Sequence, residues 1–295
     1  MTWSVQGRLA VVTGASSGVG EQIATGLAAN AATVILVARD ATRLEAAKRR
    51  IARVAPGSDL ILEPVDLSDL DQVRTLATRL TEQNPSIVVS NAAVIAPLDD
   101  RTSAGLHRSL ATNHLAPYLL LRTLAEQPAE QPRRFVVVGG HPGGLRRVPV
   151  DLDDLNADTG RGLGWPPSIR PFAAYGRTKN MNAMFVYGLA QRLRGTSTTV
   201  NGAHPGIVRG TRLNRHDRGA LRIFGSAINR LSGTDDGAHT PLWLVTSPDV
   251  EGVTGQFYVD RKPVQTAPHT TDPERVERLW RKSARLVGLP DSASI

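Results

Sequence analysis

Apolar and polar positions along this chain fall into blocks of two lengths. Short, nearly continuous apolar runs occur at Leu9 to Val12, Thr33 to Ala38, Leu60 to Val65, Ile87 to Ser90, Arg134 to Val138 and Thr198 to Ala203. Each has the roughly four-to-eight-residue length of a strand. Between them, Glu21 to Ala29, Thr42 to Val54 and Ser68 to Thr81 repeat apolar residues at helical spacing, and longer helical stretches separate the last strands. Strands apolar on both faces that alternate with amphipathic helices predict a parallel sheet covered on both sides. No internal repeat and no linker divides the chain, so 1–295 reads as one domain. A segment dense in Gly, Pro and Asp, about 142–171, breaks the rhythm between a strand and a helix and predicts a loop insertion that shapes a site. The closing stretch Asp272 to Val287 predicts a helix packed across the body through Val276, Leu279, Trp280, Leu286 and Val287.

Composition narrows the function classes. With 295 residues, 41% apolar and 21% charged, the chain can bury a full core, which excludes disordered and fibrous classes. The absence of cysteine excludes disulfides, thiolate metal sites and a cysteine nucleophile; no metal site is expected, and redox chemistry would need an organic cofactor. No run approaches the roughly 18 to 20 apolar residues of a membrane span, and no charged-then-apolar leader opens the sequence, so no membrane span and a cytoplasmic location are expected. The net charge is +8, and with four lysines the other 31 of 35 basic residues are arginine. These arginines are scattered without a nucleic-acid motif; no nucleic-acid partner is expected, and compositional bias with solubility accounts for them.

Two motifs carry chemistry. Gly14, Gly18 and Gly20, with Ser16, Ser17 and Val19 among them, follow a strand and open a helix, where glycines let the backbone approach a pyrophosphate on the helix N-terminus. The end of the second strand, where an acid would bind a ribose 2′-hydroxyl, reads Ala38-Arg39, and a guanidinium there suits the 2′-phosphate of NADP(H). Further on, Tyr175 and Lys179 stand four apart at a helix start, on one face. A neighbouring ammonium is expected to draw the tyrosine pKa down toward the working range of an acid-base catalyst.

With Val65-Asp66-Leu67, Asn91-Ala92-Ala93, Thr112-Asn113-His114, His204-Pro205-Gly206 and Arg278-Leu279-Trp280, these motifs make the chain resemble, over nearly its whole length, the short-chain dehydrogenase/reductase superfamily and its retinol-dehydrogenase-like branch. The resemblance implies an α/β, doubly wound (Rossmann-type) parallel sheet of about seven strands flanked by helices. It implies Asp66 and Leu67 near the adenine, Asn91, Ala92 and Ala93 behind the cofactor, Pro205, Gly206 and Val208 near the nicotinamide carboxamide, and Thr211 beside the pyrophosphate or carboxamide. It also implies Tyr175 as proton donor or acceptor, Lys179 holding the nicotinamide ribose, and Asn113 positioning a relay water.

The departures from the family pattern are equally specific. Gly140 stands where the family places a serine that binds the substrate oxygen, which makes the next residue, His141, the preferred substitute, with Ser168 of the insertion as the other candidate. Gly140 and Tyr175 are 35 positions apart, longer than the branch implies. Ser90-Asn91-Ala92-Ala93 replaces the usual Asn-Asn-Ala-Gly. A substrate lid is expected at about 209–233, where Arg209, Arg212, Arg215, Arg218, Arg222 and Arg230 face one acid, Asp217. That field suits an anionic substrate or is a solvated face. The expected function is NADP(H)-dependent interconversion of a carbonyl and an alcohol on a small molecule, in secondary metabolism. The alternative is a dinucleotide-binding homologue without ordinary carbonyl reduction, acting as isomerase, dehydratase or regulator. Oligomeric state stays open, a homodimer among the options.

Overall fold

The computed structural model describes residues 3–129, 131–206 and 237–291. Eight strands, β1 (Leu9–Thr13), β2 (Thr33–Ala38), β3 (Leu60–Pro64), β4 (Ile87–Ser90), β5 (Arg133–Val138), β6 (Thr198–Ala203), β7 (Phe257–Val259) and β8 (Lys262–Pro263), form one sheet. Their order is β3-β2-β1-β4-β5-β6-β7-β8. All neighbours are parallel except β7 and β8. The eighth strand exceeds the expected seven by two residues turned back at Asp260 and Arg261, both at positive φ (49° and 60°), a hairpin too short to show as an apolar run.

Helices α1 (Gly18–Ala29), α2 (Ala41–Val54), α3 (Leu70–Gln83), α4 (Arg108–Leu110), α5 (Ala116–Ala125), α6 (Pro142–Leu145), α7 (Arg170–Arg192), α8 (His239–Thr246), α9 (Pro268–Thr271) and α10 (Pro273–Leu286) cover the sheet. Alternate strand residues feed two cores. Val11, Ile35, Val37, Val88, Phe135 and Val137 pack with α3, α5, α7 and α10. Ala10, Val12, Val34, Leu36, Val89 and Val136 pack with α1, α2 and α8 on the other face. Because β2 and β3 lie to one side of β1 and β4 to the other, the chain reverses direction there and opens a crevice at the C-terminal ends of β1 and β4.

Capping prepares that crevice. Asp40, Asp69 and Asp272 each accept a backbone N–H at the start of α2, α3 and α10, whereas Ser17 at the start of α1 makes no side-chain cap bond. The first-turn N–H groups of α1 therefore face the crevice uncapped.

The arginine excess does more than the sequence implied. Arg122 is fully buried, donating to Tyr118 Oη (2.9 Å) and the Pro290 carbonyl (2.7 Å). Its guanidinium and that of Arg192 lie 5.1 and 3.9 Å from the Trp280 ring. Arg133 reaches the carbonyls of Leu124 in the last turn of α5 and of Gln127 just beyond it, and Arg134 those of Leu244 and Ser247 at the end of α8 while lying over Trp3. A planar fork of donors suits helix C-termini, whose last carbonyls lack partners.

The insertion is held down along its length. Asn180 donates to the carbonyls of Leu145 and Val148, Arg177 to that of Arg161, and the Asn156 side chain accepts from the His107 N–H.

Candidate active site

The turn from β1 into α1 is built for backbone proximity. Gly14 and Gly18 have φ of 69° and 60°. A Cβ on Gly14 would stand 2.9 Å from Ala92 Cα, and one on Gly20 would stand 2.4 Å from Gly14 O and 2.6 Å from Asn91 Nδ2. Asn91 explains the pressure: its Nδ2 donates to Thr13 O (3.0 Å), while the N–H groups of Asn91 and Ala92 donate to Thr13 Oγ1 (3.0 and 3.1 Å). Ala93 continues this half-buried stretch. The loop of Gly14, Ser16, Ser17, Gly18, Val19 and Gly20 is thus a side-chain-poor cradle at an uncapped helix start, which fits a pyrophosphate.

Arg39 follows β2, largely exposed, with Nη1 at 3.8 Å from Asp66 Oδ2. The other carboxylate oxygen of Asp66 accepts from Ser68 N and Oγ (2.9 and 2.8 Å), closing the turn that carries buried Leu67 toward α3. A second guanidinium lies nearby: Arg43 Nη2 donates to Ser17 Oγ (3.2 Å) inside the glycine loop. Sequence reading missed Arg43. Its signal was present in the four-residue spacing from Arg39 into the first turn of α2.

Tyr175 and Lys179 lie on α7. Lys179 Nζ donates to Val138 O (2.9 Å) at the end of β5 and stands 5.5 Å from the centre of the Tyr175 ring. Burial pushes the Tyr175 hydroxyl up to about 12 and the Lys179 ammonium down to about 8. The expected depression of the tyrosine pKa is reversed here, because withdrawal from water disfavours phenolate and ammonium alike.

Asn113 sits in a π-helical turn, Ala111–Leu115, between α4 and α5. Its Oδ1 accepts from Val94 N (2.8 Å) and its Nδ2 donates to Val94 O (2.9 Å) and Thr178 Oγ1 (3.1 Å). The side chain is consumed by structure, and the main-chain carbonyl accepts from Asn182 Nδ2 (2.8 Å). The next residue, His114, is wholly buried between Asn182 Oδ1 (3.2 Å) and Ser283 Oγ (2.8 Å), and burial holds its pKa down to about 4. The neutral ring ties α10 to the π turn.

Gly140 faces Lys179: a Cβ there would stand 3.3 Å from Lys179 Cβ, but also 2.6 Å from Leu145 Cδ1. Leu145 of the insertion fills the space a serine would need. His141 is exposed, its Nδ1 accepts from Gly143 N (3.2 Å), and its ring meets that of His204 edge to face at 5.1 Å. Burial first, then the neighbouring His141 and Lys179, push His204 down to about 4. Ser168 is exposed in the short turn Pro167–Ile169. Pro205 and Gly206 follow β6, Gly206 with φ of 76°. Val208, Thr211 and the lid expected at 209–233 lie outside the described residues.

The chain is similar to known proteins along its length. The family model described as short chain dehydrogenase matches residues 8–140. Human retinol dehydrogenase 14 is 32% identical over 97% of this chain and 88% of its own. The crystal structure of an uncharacterized protein from Mycobacterium paratuberculosis superposes with a TM-score of 0.73 and 26% identity over 99% of this chain and 100% of its own. A short chain dehydrogenase from Burkholderia cenocepacia in complex with NADP does so with a TM-score of 0.63 and 26% identity, over 86% and 96%.

Proposed function

Because this chain belongs to the short-chain dehydrogenase/reductase family, we propose that it interconverts a carbonyl and an alcohol on a small organic molecule with NADP(H). The observation that carries this reading is the Tyr175–Lys179 pair, a half-buried phenol and a buried ammonium held at the C-terminal end of β5, two strands across the sheet from the β1 glycine turn. The loop from Gly14 to Gly20, with Asp66, Leu67 and Asn91, would hold the dinucleotide. Arg39 and Arg43 offer two cations where a 2′-phosphate would lie, and the Burkholderia relative's complex with NADP supports that choice. When bound, the nicotinamide supplies or accepts the hydride.

The protein's own groups manage the proton. A tyrosine hydroxyl raised to about 12 is protonated at neutral pH and able to donate to an oxygen gaining negative charge, as carbonyl reduction requires. Lys179, drawn down to about 8, is still mostly charged at pH 7 and stabilises the phenolate left behind.

The test is oxidation of NADPH by a panel of aldehydes and ketones, retinal included, with unaltered protein and Tyr175→Phe. Turnover by the first, reduced about 10²- to 10⁴-fold in the second with NADPH affinity unchanged, is the expected outcome. Tight NADPH binding with no carbonyl reduced would favour the other reading, a dinucleotide-binding homologue without reductase chemistry, which Gly140 motivates.

A further inference from the structure

We propose that the Nε2–H of His141 holds the substrate oxygen in place of the hydroxyl that Gly140 lacks. This rests on the reductase reading above and assigns one more group to the same site.

The position Gly140 vacates is filled by an apolar side chain, not by a hydrogen-bond donor. Leu145 Cδ1 would lie 2.6 Å from a Cβ at Gly140, so an apolar methyl occupies the place beside Gly140. The donor must come from beside it, and His141 is the first side chain beyond β5.

The hydrogen bonding of His141 selects its tautomer. Gly143 N–H donates to Nδ1 at 3.2 Å, the N-cap bond of α6, so Nδ1 carries a lone pair and the proton of the neutral ring is on Nε2. The cap thus turns the ring into a fixed single donor, with the donor atom on the side away from the cap.

The ring also has the right neighbourhood. It stands at the C-terminal end of β5, paired with β6 through Val138 and Ala203, and packs edge to face on His204, the first residue beyond β6. Lys179 reaches the same strand end through Val138 O, and its charge is felt at His204. His204 is the poorer donor candidate, because its ring is already hydrogen-bonded to the Gly139 backbone. As a neutral ring it supports His141 without repelling it. In the reaction His141 keeps its proton. It donates a hydrogen bond to the oxygen as negative charge develops there, while Tyr175 transfers the proton that completes the alcohol.

The test separates the cap from the donor, with NADPH and phenanthrenequinone as the probe pair. His141→Asn retains a side-chain acceptor for Gly143 N–H, asparagine being a favoured N-cap, but has nothing at the Nε2 position. It should lower kcat about 10²- to 10³-fold, with NADPH affinity and melting temperature unchanged. Adding Gly140→Ser with Leu145→Ala, which restores a hydroxyl and makes room for it, should recover at least about tenfold of that loss. Independently, ¹⁵N NMR of the free unaltered protein in its neutral-ring form should find Nε2 protonated and Nδ1 bare. That measurement needs no variant and so stands even if His141→Asn fails to fold. A His141→Asn variant as active as the unaltered protein, or a proton on Nδ1, overturns the role of His141 and leaves the reductase reading intact. Unaltered protein that binds NADPH but reduces neither the quinone nor any carbonyl of the panel overturns the reductase reading, and this role with it.

Discussion

Lys179 shows at the scale of one residue how the site trades stability for chemistry. Its pKa falls from 10.5 to about 8 on folding, so between those values the unfolded chain binds a proton that the folded chain does not. Stability therefore rises with pH across that window, and the penalty is fully present below about pH 8. At pH 7 the penalty is about 3 kcal/mol. Lys179→Met removes it at the loss of one hydrogen bond to Val138 O, worth about 1 kcal/mol. The variant should melt several degrees higher than the unaltered protein at pH 7, lose that advantage above about pH 10, and be catalytically dead. An unchanged melting curve at pH 7 would show that the ammonium is not desolvated in solution.

Among elements, the glycine turn is the one whose geometry tolerates least. Gly20→Ala would set a Cβ against the backbone oxygen of Gly14, an atom that cannot swing away as a side chain does. The turn must open, and with it the contact to Asn91 and Thr13 that forms the cradle. We expect a loss of about 1 to 3 kcal/mol in stability, measured by denaturant titration, and loss of NADPH binding by at least about tenfold. Gly7→Ala is the matched control. It has φ of 71° but nothing within 4 Å of its would-be Cβ, so it should cost stability alone and leave NADPH affinity untouched. Loss of NADPH binding in both variants would mean that the close approach is not what matters.

For the whole molecule, cofactor and fold are linked by mass action. NADPH at about a hundred times its Kd should raise stability by about 2.7 kcal/mol, about 4 °C for a protein of this size. NADH at the same concentration should raise it less, because it offers nothing to Arg39 and Arg43. Arg39→Ala and Arg43→Ala should each reduce the NADPH preference, by about tenfold in affinity. Equal shifts with the two dinucleotides in the unaltered protein would exclude a 2′-phosphate site.

What this sequence determined by itself is what depends on neighbours along the chain. Apolar runs of strand length, helical spacing and the Gly14–Gly20 turn are local patterns, and six strands came out within about a residue of their expected ends. Tyr175 and Lys179 were legible because one helix turn brings positions four apart together. The tertiary structure decided everything that depends on what arrives from a distance. Arg43 joined the glycine loop because α2 packs against α1, and Leu145 filled the place beside Gly140 because the insertion folds back on α7. The π turn at Asn113 is anchored by Val94, Thr178 and Asn182, the last tied through His114 to α10. The direction of the Tyr175 shift belongs to the same class. Spacing places an ammonium near the phenol, but only the packed fold determines how much water is withdrawn from both, and desolvation in this site outweighs the attraction between them.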